Sequence, residues 1–216
     1  VAVKDPVFRA SMWINCWESM VRAEGPVPER MIESILLALK GEDDPLLIDF
    51  LLGYLQSAWW TFLPEHNRAL LQDELERVLW QLVERAPDAG KKNSYFRTFR
   101  NLVISEQGLT TLEHLWNDKL KVKDLILSEE DKITLAYELA LKQPARHQYF
   151  LQTQLSQTKN PDRKERMQFV IPALSDDEVI RESFFESLKQ EANREHEPWV
   201  LEALHYLHHP LRAQSS

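Results

Sequence analysis

The chain of 216 residues is 44% hydrophobic and 28% charged, enough apolar material for one large domain or two small ones with a core of its own. Its 26 basic side chains against 34 acidic ones leave a net charge of −8, whose long-range field repels nucleic acid and anionic lipid, so neither is expected as a partner. No apolar run approaches the roughly 20 residues of a membrane span, and the longest, PLLIDFLLGYL, is interrupted by Asp49.

The lone cysteine, Cys16, cannot form an internal disulfide, which leaves the redox compartment open. Between Trp13 and Trp17 it reads as a buried, inert thiol. Val1 stands where a natural start would carry Met, so the chain reads as a fragment or a processed protein.

In chain order, every segment reads as helix. DPVFRASMWINCWESMVRAEG places Phe8, Met12, Trp13, Cys16, Trp17 and Met20 on one stripe and stops at Gly25. PERMIESILLALKG puts Met31, Ile32, Ile35, Leu36 and Leu39 on one face between Pro28 and Gly41. DPLLIDFLLGYLQSAWWTFLP has Asp44 as N-cap and Pro45 in its first turn, and Pro64 opens PEHNRALLQDELERVLWQLVERAPDAG. KKNSYFRTFRNLVIS and GLTTLEHLWNDK form a shorter pair around Gly108. SEEDKITLAYELALKQ begins on a Ser128/Asp131 capping pattern, and ARHQYFLQTQLSQT follows Pro144. NPDRKERMQFVIPALS is capped by Asn160 ahead of Pro161, SDDEVIRESFFESLKQ by a Ser175/Glu178 box, and EPWVLEALHYLHH runs from Pro198 to Pro210.

These make about eleven helices in pairs roughly every 30 to 45 residues, the spacing of a helical solenoid. The predicted fold is therefore all-α, an α-α superhelix of the HEAT or armadillo kind, forming a single helical-repeat domain over residues 1–216. Pairing one with two and three with four leaves the eleventh helix alone, with Leu201, Leu204 and Leu207 uncovered. Trp59 and Trp60 are adjacent, about 100° apart on a helix, so both cannot sit at the centre of one buried face and one is a candidate for a groove or interface.

The chemistry-bearing residues are few. LEALHYLHHPLR carries Glu202, His205 and His209, a Glu-x-x-His overlapping an i, i+4 histidine pair. A di-iron site requires a second Glu-x-x-His, and none occurs among the seven histidines. Histidines in the last turn of a helix also favour its C-terminal dipole, so these three are candidate metal ligands only, and no metal, cofactor or catalytic residue is assigned to this chain. His196-Glu197 begins H-E-x-x-H but meets Val200 where the second histidine belongs, with Pro198 inside the required helix. With five glycines the chain has no P-loop, G-x-G-x-x-G or G-x-S-x-G. The acidic run from Ser175 and the basic NPDRKER read as solvated first turns of helices.

NPDRKERMQFVIPALS, EPWVLEALHYLHHPLR and LLIDFLLGYLQSAWWTFL together resemble the C-terminal helical domain of zinc aminopeptidases of the aminopeptidase N type, which include the puromycin-sensitive and endoplasmic-reticulum aminopeptidases. The resemblance is specific mainly over residues 160–212. It implies a HEAT-like superhelix that closes over the catalytic domain of the same polypeptide, restricting and holding peptide substrates. Zinc is then implied only for the parent catalytic domain. The family's H-E-x-x-H and G-x-M-E-N motifs are absent here, so no catalytic or substrate-binding residue is carried over. The competing class is a free-standing helical-repeat scaffold that grips a partner protein.

Overall fold

The computed structural model describes residues 4–213, so Val1 and Ser216, on which expectations about the ends of the chain turn, lie outside it. Those residues are all-helical, with 77% helix, no strand and eleven α-helices. None is long and apolar enough to cross a membrane. The chain divides into two compact units. The first runs to Gly108 and includes Val122–Leu125; the second holds Leu109–Lys121 and everything from Ile126 onward.

In the first unit, α1 (Pro6–Val21) is capped by Asp5, whose carboxylate accepts from the amides of Val7 and Phe8. α2 (Pro28–Leu39) buries the five side chains that its sequence places on one face, each contributing about 2 kcal/mol of transfer free energy. α3 (Pro45–Ser57) starts on Asp44, whose side chain accepts from Leu47 N at 3.0 Å, and runs into a π-helical turn, Ala58–Phe62. The Leu63 amide closes that turn on the Ala58 carbonyl, and the tryptophans part company. Trp59 is wholly buried, while half-buried Trp60 donates to Asn101 Oδ1 at 2.9 Å under the Arg68 guanidinium.

α4 (Glu65–Arg85) and α5 (Ala89–Leu102) fold back on each other across residues 86–88, as α2 and α3 do across residues 40–44. α4 then stacks on α2 and α5 on α3, giving two rows of helices. In this unit the predicted pairing is thus shifted by one: α2 pairs with α3 and α4 with α5. The reason is non-local, since periodicity shows that a helix has an apolar face but not which neighbour covers it. α1 lies against α2 and α3 with Trp13, Trp17 and Met20 turned inward. Phe8, Met12 and Cys16 are exposed, which corrects the expectation of a buried thiol. Arg9 reaches Glu42 through two hydrogen bonds of 2.9 and 2.8 Å. Burial pushes the Glu42 carboxyl up, but Arg9 and the Asp43 and Asp44 amides hold it below the usual range.

The division between units falls inside α6 (Glu106–Trp116). Its start is held by Glu76 of α4, buried, whose Oε1 accepts from Ile104 N and Ser105 N at 2.8 Å while Oε2 meets the Ser105 hydroxyl. Ser105 Oγ in turn accepts from Gly108 N at 3.0 Å, so Gly108 lies within the helix rather than between two.

In the second unit, α7 (Glu129–Lys142) begins with the predicted Ser128/Asp131 capping box and packs on α8 (His147–Gln157). Lys132 Nζ closes the end of α6 by donating to the Leu115 and Trp116 carbonyls at 2.7 and 2.8 Å. The link between α6 and α7 holds Asp118 and Asp124 at positive φ and exposes Lys119, Lys121 and Lys123. α9 (Pro161–Val170) is capped by Asn160 and continues as a 3-10 turn, Ile171–Leu174. α10 (Glu178–Ser187) is capped by Asp177 rather than by the predicted Ser175/Glu178 box; Ser175 Oγ accepts from the Asp177 amide instead. α11 (Glu197–Leu207) packs on α9 and the 3-10 turn, burying Ala203, Tyr206 and Leu207. Leu201 alone of the three predicted leucines is exposed; Leu204 is half-buried.

Candidate functional site

The predicted candidates lie on α11 and just after it. The His205 and His209 rings approach edge to face, with centroids 5.9 Å apart. His209 is buried, and its Nδ1 accepts from the Leu211 amide, capping the 3-10 turn Pro210–Arg212. Glu202 has its Oε2 3.3 Å from Arg166 Nε on α9. The three do not fit a metal ion, because the carboxylate and one ring nitrogen are already committed to protein partners. Among the described residues no three His, Cys, Asp or Glu side chains converge on a point that could hold one.

What the structure assembles around Glu202 is a charge cluster spanning α7, α9 and α11. Arg163 of NPDRKER pairs with Glu129 at 2.8 Å and with Glu130 at 3.4 Å, and Arg166 pairs with Glu130 as well as Glu202. The basic run is therefore not a solvated turn but the counterpart of the acidic first turn of α7, over 30 residues away in sequence. The Lys159 amide and then Arg163 hold the Glu129 carboxyl below its ordinary range. Glu202 goes the other way: burial pushes it up, Arg166 opposes this, and Glu130 adds to the rise. Tyr137, wholly buried beside the cluster, is pushed up by burial and by Glu202, so its phenol stays protonated.

Two buried arginines complete this region. Arg181 Nη1 donates to the Ser175 and Asp176 carbonyls at 3.0 and 2.9 Å, and Arg212 donates to Ala173 and Leu174 at 2.6 and 3.0 Å. Together they take up the carbonyls left over where α9 and its 3-10 turn end. Burial, with Arg181 nearby, pulls Arg212 down to about 10.

Two clefts among the described residues lie elsewhere. One of about 450 Å³ opens between α10 and the end of α11, with Glu178, Glu182 and Glu186 on its wall and Phe185, Leu207 and His208 beneath. Glu178, Glu182 and Glu186 stand at i, i+4, i+8 in SDDEVIRESFFESLKQ, with Arg181 on the same lining and Glu186 already paired with Lys189 at 2.6 Å. The other, of about 430 Å³ in the first unit, is lined by Lys40, Asp43, Arg85, Lys91 and buried Tyr95, a mixture of both signs. Neither holds a nucleophile with a base in reach. No protein-family model and no characterised protein matches the sequence.

Proposed function

We propose that this chain is a non-catalytic helical domain of a zinc-dependent aminopeptidase of the aminopeptidase N type. It closes over the catalytic domain of the same polypeptide and restricts and holds peptide substrates. The observation that supports this reading is the fate of the residues that carry the resemblance. Asn160 caps α9, Arg163 and Arg166 tie α9 to α7 and α11, His209 caps the last turn, and Arg212 takes up the carbonyls after α9. Residues so committed preserve a shape, and shape is what a steric role requires. The acidic cleft beside α10 and the net charge of −8 favour peptides with basic side chains.

The test is kinetic and uses the polypeptide that contains this chain. It is expected to bind zinc, to hydrolyse amino-acid anilides, and to cleave peptides with basic side chains faster than acidic ones. Removing residues 1–216 is expected to change peptide-length discrimination more than anilide hydrolysis. A full reading frame without H-E-x-x-H, encoding a protein without aminopeptidase activity, overturns the reading in favour of the scaffold.

A further inference from the structure

Tyr95 on α5 is only 4% exposed, yet its hydroxyl makes no hydrogen bond among the described residues. Buried phenols ordinarily find a partner, so one without it calls for a ligand or solvent in that place. The hydroxyl is not sealed in the core: Tyr95 lines the cleft of about 430 Å³ in the first unit, and its oxygen opens there. That volume falls within the roughly 300 to 1,000 Å³ of small-molecule sites.

One wall of the cleft is the turn between α2 and α3, the other the end of α4 and the start of α5. The second wall supplies Arg85, the last residue of α4, and half-buried Lys91 in the first turn of α5; neither is in an ion pair among the described residues. The first wall supplies Glu42 and Asp43, with Lys40 exposed beside them. Glu42 is held by Arg9, whereas the Asp43 carboxylate accepts no hydrogen bond and forms no ion pair among the described residues. The phenol belongs to this acidic pole. Burial, then Glu42, Asp88 and Asp49, push it up to about 12, so it stays protonated at neutral pH in a field that favours a cation beside its oxygen. Leu39, Val78 and Leu82 make the lining apolar in part.

We propose that this cleft binds a zwitterion of the α-amino acid type with an apolar side chain. Arg85 and Lys91 meet its carboxylate, Asp43 and the Tyr95 oxygen its ammonium, and Leu39, Val78 and Leu82 its side chain. Such a site goes beyond the peptidase reading and stands without it. The probe is L-leucine, titrated calorimetrically into the polypeptide that contains this chain. Binding is expected to saturate below about 10 mM and to weaken about tenfold for Tyr95→Phe and for Arg85→Gln. Tyr95→Phe leaves the melting temperature unchanged, because the hydroxyl bonds no protein group. Arg77→Gln, on the same helix as Arg85 with its guanidinium on Glu74, leaves leucine binding unchanged. Leucinamide and N-acetyl-L-leucine, each lacking one of the two charges, are expected to bind at least about tenfold more weakly than L-leucine.

N-acetyl-L-leucine binding as tightly as L-leucine makes the cleft a plain anion site and overturns the proposal. Leucine binding that ignores both Tyr95→Phe and Arg85→Gln, or never saturates, overturns it too. Binding that is lost with zinc yet ignores Tyr95→Phe belongs to a catalytic centre, so the cleft proposal falls while the peptidase reading stands. Tyr95-dependent binding in a polypeptide without zinc or activity supports the cleft and overturns the peptidase reading.

Discussion

Ala23 has φ 57°, the left-handed region that favours glycine. It ends α1 in a Schellman arrangement, its own amide bonding Met20 O and the Glu24 amide bonding Ser19 O. The sequence points to Gly25 as the stop, yet Gly25 serves close approach: a Cβ there would lie 2.6 Å from that of Ser19. Ala23→Gly is therefore expected to raise stability by about 1 kcal/mol in urea unfolding; a loss would mean that the left-handed turn is not formed. Glu202 poses a question of sign. Its carboxyl is raised in the folded state by burial, so its contribution is fully present below the unfolded carboxylate range and is lost as pH rises through the folded value. Glu202→Gln is accordingly expected to gain in stability relative to the wild type as pH rises above the unfolded carboxylate range. A stability difference that stays flat over that rise would show that Arg166 fully offsets the burial.

Helix starts were legible because caps are local. Asp44 with Pro45, Ser128 with Asp131 and Asn160 with Pro161 all stand where the residues place them. Ser175 failed because Asp177, two residues on, offered a carboxylate to the same turn. Partners across helices were not legible. Nothing in NPDRKER points to Glu129 and Glu130, and nothing around Cys16 tells that the face beside Trp17 is covered while its own flank is not. The junction of α4 with α6 is of the same non-local kind. A Cβ on Gly108 would fall inside both Val103 and Glu76, the carboxylate that binds the residues starting α6. Gly108→Ala is expected to cost about 2 to 3 kcal/mol. Gly53→Ala, inside α3 with open space around it, is expected to add up to about 1 kcal/mol. Equal effects at the two glycines in parallel denaturation curves would contradict the packing described for the first unit.

Over the whole molecule, what could be read in advance was the class of fold and the number of helices; the division into two units could not, because it falls within one helix. At the histidine-rich end, His209 caps the last 3-10 turn and Arg212 binds the carbonyls of Ala173 and Leu174. Sealed guanidiniums have a counterpart in the exposed lysines between α6 and α7, and the contrast decides where a protease specific for Lys and Arg enters. Arg181 and Arg212 are only 5% and 9% exposed, whereas Lys119, Lys121 and Lys123 are all open to solvent on a link with two residues at positive φ. Brief trypsin treatment of the folded protein is expected to nick first within residues 119–123 and to leave the bonds after Arg181 and Arg212 intact until the second unit unfolds. An early cut after Arg212 would mean that the carbonyls of Ala173 and Leu174 are not holding it.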